Sequence, residues 1–132
     1  MIVGIPLIAY SPVGRGWLSG EIRSLDDLPA NDFRRRMPRF QPAVFDQNRK
    51  LAAAVEELAK RKGVTTAQVA MAWVVSQGAI PIPGSTKMER VVENCEVVEL
   101  SEEELEELKG LMDEMPISGE RYGGDHEKLL NA

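Results

Sequence analysis

The sequence predicts an α/β fold with parallel strands. Three observations carry the prediction: an apolar run at Ile2–Tyr10, a shorter one at Ile80–Pro83, and helical patterns between and after them. Strands that alternate with helices pair in parallel, because the connecting helix carries the chain back across the sheet.

The first run is nearly continuous in apolar residues, as expected of a strand buried on both faces, and Pro6 stands near its start, where a missing N–H is tolerated. Residues 11–45 then hold several glycines and prolines, four arginines between 34 and 39, and no clear period. This reads as one long loop, and loops of that length are usually functional or disordered. The cluster Arg34, Arg35, Arg36 and Arg39 is diluted by Asp26, Asp27 and Asp32, and reads as a solvated face.

Asp46 is positioned to cap a helix running to about Lys62, with Leu51, Val55, Leu58 and Ala59 on one face and Gly63 as the stop. Thr65 and Gln68 form a capping box for a helix from Thr66 to about Gln77, which is apolar nearly all round and therefore buried. Gly78 ends it, and Ile80-Pro81-Ile82-Pro83 follows as a very short strand. Thr86 with Glu89 suggests a capping box for a helix through about Cys95. Ser101 with Glu104 suggests another, opening a helix whose Leu105, Leu108, Met112 and Met115 make a packing stripe. Pro116 closes that helix, and the glycine-bearing residues 116–132 are expected to be a mobile tail.

Composition narrows the functions. The 132 residues carry 16 basic and 21 acidic side chains, a net charge of −5, which argues against nucleic acid or an anionic membrane as the main partner. The single cysteine, Cys95, cannot close an internal disulfide and reads as a structural thiol of a reducing compartment. Neither a leader pattern nor a run of about 20 apolar residues is present, so a cytoplasmic protein is expected. No metal site is expected.

Two stretches carry chemistry. "YSPVGRGWLSG", residues 10–20, has Gly14, Gly16 and Gly20 in a spacing one residue too long for a dinucleotide fingerprint, and it lacks a P-loop ending. "IPGSTKMERVVEN", residues 82–94, ends a strand at Gly84 and places Ser85 and Thr86 at a helix start. Lys87 and Arg90 lie in that first turn, where the helix dipole disfavours cations unless an anion sits before them. Both stretches follow successive strands, at the face where barrels and open α/β sheets bind ligands. One ligand with a pyrophosphate and a further phosphate can span them. The bland alternatives are a structural turn and a capped surface helix.

Together the two stretches resemble the aldo-keto reductases. "AYSPVGRGWLSG" is similar to the loop after that family's seventh strand, "IPIPGSTKMERVVEN" to its eighth-strand signature, and "TTAQVAMAWVVSQG" to the helix between. The likeness covers roughly residues 4–112 and is nearest the branch of potassium-channel β-subunit-like and fungal or bacterial NADP-linked reductases. It implies that residues 1–115 form the C-terminal portion, strands seven and eight with their helices, of a (β/α)8 TIM barrel, incomplete in this chain. Residues 11–45 become the loop that covers the cofactor.

The resemblance also implies roles. Tyr10 stacks on a nicotinamide ring, and Ser11, Val13, Gly14 and Arg15 fold over the pyrophosphate. Gly84 and Ser85 begin the segment around an adenosine 2′-phosphate, Arg90 pairs with that phosphate, and Glu93 and Asn94 contact adenine. Some branches carry lysine where this chain has Gly84, so Lys87 or Arg90 must bear more of the 2′-phosphate charge. NADP(H) is favoured over NAD. The family's catalytic aspartate, tyrosine, lysine and histidine belong to its first four strands, so no catalytic residue is assigned here. Tyr122, His126 and Lys128 lie outside the family's motifs and are not substitutes.

Two functions of different class follow. One is the cofactor-binding C-terminal part of an NADPH-dependent reductase of aldehydes and ketones, inactive alone, with a carbonyl substrate only in the complete enzyme. The other is a non-catalytic nucleotide-binding or interaction module derived from a reductase. Two strands with open edges also imply self-association.

Overall fold

The computed structural model describes residues 4–125. Strand β1 (Leu7–Tyr10) pairs in parallel with β2 (Ala79–Ile82), in the register Leu7 with Ala79 through Tyr10 with Ile82. β1 is shorter than its apolar run, with Gly4–Pro6 outside the ladder and residues 1–3 outside the described residues; β2 is as long as its run but starts one residue earlier, taking in Ala79 and leaving out Pro83. Between the strands run four short 3-10 segments, helix α1 (Pro42–Lys62) and helix α2 (Thr66–Ser76); α3 (Met88–Cys95) and α4 (Glu102–Glu114) follow β2.

Two apolar clusters hold these elements. Leu51, Val55, Leu58 and Ala59 of α1 meet Val69 of α2 and Leu108 of α4, which realises the predicted stripe of α1. In the predicted stripe of α4, Leu108 alone is buried, and Met112 and Met115 pack at the margin. Helix α2 buries Val69, Ala70, Met71, Ala72 and Val74, while Val75 stays exposed.

The second cluster lies inside the segment expected to be one long loop without clear period. Ile22, Leu28, Met37, Phe40 and Phe45 are buried together, with the Trp17 ring tilted against both aromatics, its centroid 5.0 Å from that of Phe40 and 4.7 Å from that of Phe45. Its apolar residues follow neither helical nor strand period, because 3-10 turns bring them inward at irregular intervals.

Helix α1 begins at Pro42, four residues before the expected cap at Asp46. Pro42 at the first helical position has its φ already set and no N–H to satisfy. Gln41, the N-cap, directs its amide to the carbonyls of Arg35 and Met37, and the extra turn carries Phe45 into the second cluster. The stop at Gly63 is as read: its φ of 74° lets its N–H bond the Ala59 and Lys60 carbonyls. The boxes at Thr65–Gln68 and Ser101–Glu104 form with both of their hydrogen bonds. The Thr86–Glu89 box does not. Helix α3 starts after Lys87 without a side-chain cap, and Ser85 Oγ instead accepts from the Lys87 N–H at 3.0 Å.

The arginine cluster is not a simple solvated face. Arg35 donates to the carbonyls of Leu25, Leu28 and Pro29, and Arg34 forks onto Asp32, leaving Arg36 exposed. Cys95, read as structural, is exposed at the end of α3. Among the described residues, no helix is long and apolar enough to cross a membrane.

Neither strand is buried. Leu7 is 59% exposed, Ile8 51%, Ile80 50% and Ile82 52%, since the two-stranded sheet has helices against only part of its surface. Exposed edges of this kind seed pairing between chains. Light scattering after size exclusion should give a mass above the monomer that grows with concentration; a fixed monomer mass removes the expectation. Leu58, 1% exposed at the α1–α4 centre, should be a stability anchor. Leu58→Ala should cost about 2–5 kcal/mol in urea unfolding.

Candidate functional site

Parallel pairing places the segment after β1 and the segment after β2 at one end of the sheet. A cleft of about 530 Å³ opens between them. Ser11, Val13 and Arg15 form one wall, and Gly84, Ser85, Arg90, Glu93 and Asn94 the other. Tyr10 and Gly14 face an adjoining cavity of about 150 Å³, which shares Ser11 and Arg15 with the cleft. Lys87 lines neither, although its Nζ stands 3.8 Å from Glu21 at the cleft mouth.

The first wall is built on unusual backbone. Ser11 and Arg15 have φ of 49° and 57°, the left-handed region that side-chain-bearing residues seldom occupy. The turn closes through the Gly14 N–H on the Ser11 carbonyl at 2.9 Å and the Gly16 N–H on the Val13 carbonyl at 3.1 Å. Gly16 has φ of 98°, and a Cβ there would lie 2.8 Å from Arg34 Nη1 and 2.9 Å from Ile22 Cδ1. Only glycine fits that approach. Arg34 holds the turn from below, donating to the Arg15 carbonyl at 3.0 Å while its Nε and Nη2 grip Asp32 at 2.9 and 2.7 Å. The Arg34 fork draws the Asp32 carboxyl down to about 2.

On the second wall, Thr65 Oγ1 donates to Glu93 Oε1 at 2.6 Å while accepting the Gln68 N–H. The N-terminal cap of α2 therefore also fixes the aim of Glu93. Arg90 reaches across the cleft to an ion pair with Glu21, whose carboxyl is held low by that guanidinium and, further off, by Lys87.

The tail reaches the site as well. Asn48 bonds Ser118 through both its amide nitrogen and its carbonyl oxygen, at 2.9 and 2.8 Å. Beyond that anchor, Arg121 Nη1 donates to the Tyr10 hydroxyl at 2.9 Å, and Arg15 lies 4.3 Å over the Tyr122 ring. Hydrogen bonding with Tyr122 and the Arg121 charge lower the Tyr10 phenol from its ordinary range. Glycine content alone did not announce these contacts over 118–122. His126 and Lys128 lie outside the described residues. Among the described residues, no group of acids, histidines and cysteines could hold a metal.

Sequence reasoning did not place Glu21, Arg34, Thr65 or Arg121 at this site. No spacing rule joins residues brought together by a fold. Glu21 and Arg34 did carry one signal: both lie in the long loop beside the glycine-rich turn.

The family model for the aldo/keto reductase family matches residues 3–113, most of the chain. The chain belongs to the aldo/keto reductase family. An aldo-keto reductase of Gibberella moniliformis is 44% identical over 122 residues, which are 89% of this chain and 37% of that protein. The Schizosaccharomyces pombe aldo-keto reductase yakc, whose name carries NADP(+), is 36% identical over 122 residues, 36% of its length. Among solved structures, the glycerol dehydrogenase of Gluconobacter oxydans superposes with a TM-score of 0.74 at 26% identity, over 86% of this chain and 36% of that one. The chain thus spans little more than a third of the relatives it matches, and the two strands and four α-helices of the described residues correspond to part of an aldo-keto reductase barrel.

The Asp32–Arg34 fork gives this wall a pH dependence. The folded carboxyl, at about 2, is below its ordinary 3.8. Its contribution is therefore complete above about pH 5 and is lost as pH falls through about 2. Asp32→Asn should lower stability by about 1 kcal/mol at pH 7, a figure discounted for partial exposure, and by much less near pH 2. Urea unfolding at both pH values measures this.

Proposed function

We propose that the cleft binds the dinucleotide NADP(H), and that this chain supplies strands seven and eight of an NADP-linked reductase of aldehydes and ketones. The observation that carries the reading is the meeting of the left-handed Ser11–Arg15 turn with the cationic start of α3 across one cleft. A dinucleotide has two separated anionic groups, and the two walls offer a separate cradle for each.

Ser11, Val13, Gly14 and Arg15 hold the pyrophosphate, with Arg15 the cationic group of that turn. Gly84 and Ser85 let the second wall approach the adenosine ribose, and Arg90, backed by Lys87, receives its 2′-phosphate. Glu93, aimed by Thr65, and Asn94 face adenine. Tyr10 offers its ring to the nicotinamide, oriented by the Arg121 hydrogen bond to its hydroxyl. A nicotinamide held there would be the hydride source for a carbonyl carbon. This chain's residues orient the dinucleotide; the proton for the alkoxide oxygen is assigned to a tyrosine–lysine pair of the family's earlier strands. The chain alone should therefore bind cofactor without turning over aldehydes or ketones.

The same geometry suits a second reading, a nucleotide-binding module without catalysis, because every residue assigned above binds and none transfers a proton. Turnover of NADPH with an aldehyde by the purified chain would exclude the module and relocate the acid to this chain.

Cofactor fluorescence titration tests the assignment of Arg90. The guanidinium is 36% exposed, so its contact with phosphate is worth about 1 kcal/mol. Arg90→Ala should weaken NADPH binding about fivefold and leave NADH unchanged. Equal loss for both cofactors, or none for either, removes the 2′-phosphate from Arg90.

A further inference from the structure

Glu21 stands where the proposed phosphate contact is to form. It follows Gly20, whose φ of 75° turns the chain out of the glycine-rich segment, and its side chain is 59% exposed. Its carboxylate pairs with Arg90 and lies 3.8 Å from the Lys87 ammonium. Lys87 is the N-cap of α3 and brings no side-chain acceptor to that helix start, while the only acid of the first turn is Glu89. Two cations at a helix N-terminus are unfavourable. Glu21 offsets them from the opposite wall of the cleft, in place of an external anion.

Resting on the reading of Arg90 as the 2′-phosphate partner, we propose that Glu21 is a specificity-setting residue: a resident counter-anion of Arg90 that a 2′-phosphate must displace. One guanidinium cannot give its Glu21-facing edge to both acceptors. A dianionic phosphate and a carboxylate at one site also repel each other. A neutral 2′-hydroxyl makes no such demand and leaves the pair in place. Glu21 therefore weakens 2′-phosphorylated ligands selectively and narrows the discrimination that Lys87 and Arg90 create. Displacement needs no refolding, because more than half of the side chain is already in solvent.

Calorimetric titration with adenosine 2′,5′-bisphosphate and adenosine 5′-monophosphate separates the outcomes, since these differ only in the 2′-phosphate. Four forms of the protein are compared: the wild type, Glu21→Gln, Arg90→Ala and the double variant. Glu21→Gln should tighten the bisphosphate about fivefold, the upper range for an exposed pair, and leave the monophosphate unchanged. In the Arg90→Ala background the Glu21→Gln gain should shrink to less than twofold, because the competition acts through Arg90. Suppose Arg90→Ala weakens the bisphosphate selectively while Glu21→Gln leaves it unchanged or weakens it. Then the displacement is overturned and Arg90 keeps its assigned role. Equal gains for both ligands in Glu21→Gln mean a general charge effect and also overturn it. If Arg90→Ala changes neither ligand, the phosphate assignment fails and the displacement fails with it.

Discussion

Four residues of parallel pairing, Leu7–Tyr10 with Ala79–Ile82, decide which loops can meet. Parallel strands place their C-terminal ends together, so the segments leaving Tyr10 and Ile82 emerge side by side although those two residues are 72 positions apart. Antiparallel pairing would put them at opposite ends and leave no cleft. The crossover between the strands carries most of the buried apolar surface, in α1 and α2. The strands themselves stay half in solvent, so the helices hold the register as much as the ladder does.

Around that pairing, the long crossover loop is organised by arginines acting as donors. Arg34 and Arg35 between them serve the carbonyls of Arg15, Leu25, Leu28 and Pro29. Irregular backbone leaves carbonyls without ladder partners, and a planar guanidinium with five N–H groups can satisfy several at once. Trp17, Phe40 and Phe45 give the same loop an apolar floor. Left-handed backbone at Ser11 and Arg15 is sustained by this support, with Arg34 bonded to the Arg15 carbonyl. Strain of this kind persists where neighbouring contacts over-determine the conformation.

Charge organises the cleft in a second way. The chain is acidic overall at −5, yet cations collect at the mouth of this cleft: Arg15, Arg34, Lys87 and Arg90. Acids answer two of them closely, Asp32 on Arg34 and Glu21 on Arg90, and both carboxyls are held low as a result. The two pairs differ in burial. Asp32 is 12% exposed and tied by several donors, so it behaves as structure; Glu21, at 59%, is held by solvent-screened charge.

Much of this was readable in advance. Periodicity and caps announced α1, α2 and α4, because the stripe of Leu51, Val55 and Leu58, the stop at Gly63 and the boxes at Thr65 and Ser101 are local chemistry within a few residues. The two motifs that carry the family were legible for the same reason. Where reading failed, a distant contact had overruled the local signal. Asp46 is a good cap by type, but Phe45 is needed in a core built by Ile22 and Leu28, and so α1 starts at Pro42. Thr86 is a good cap by type, but Ser85 takes the Lys87 N–H. The sequence by itself determined the α/β class, the α-helices and the two motifs that carry the family, since these depend on spacing along the chain. Tertiary structure alone decided that Glu21 would meet Arg90, that Arg34 would brace Arg15, and that Arg121 would reach Tyr10. Those pairs lie 69, 19 and 111 positions apart, and no local rule acts over such separations; only the folded path of the chain brings them within bonding distance.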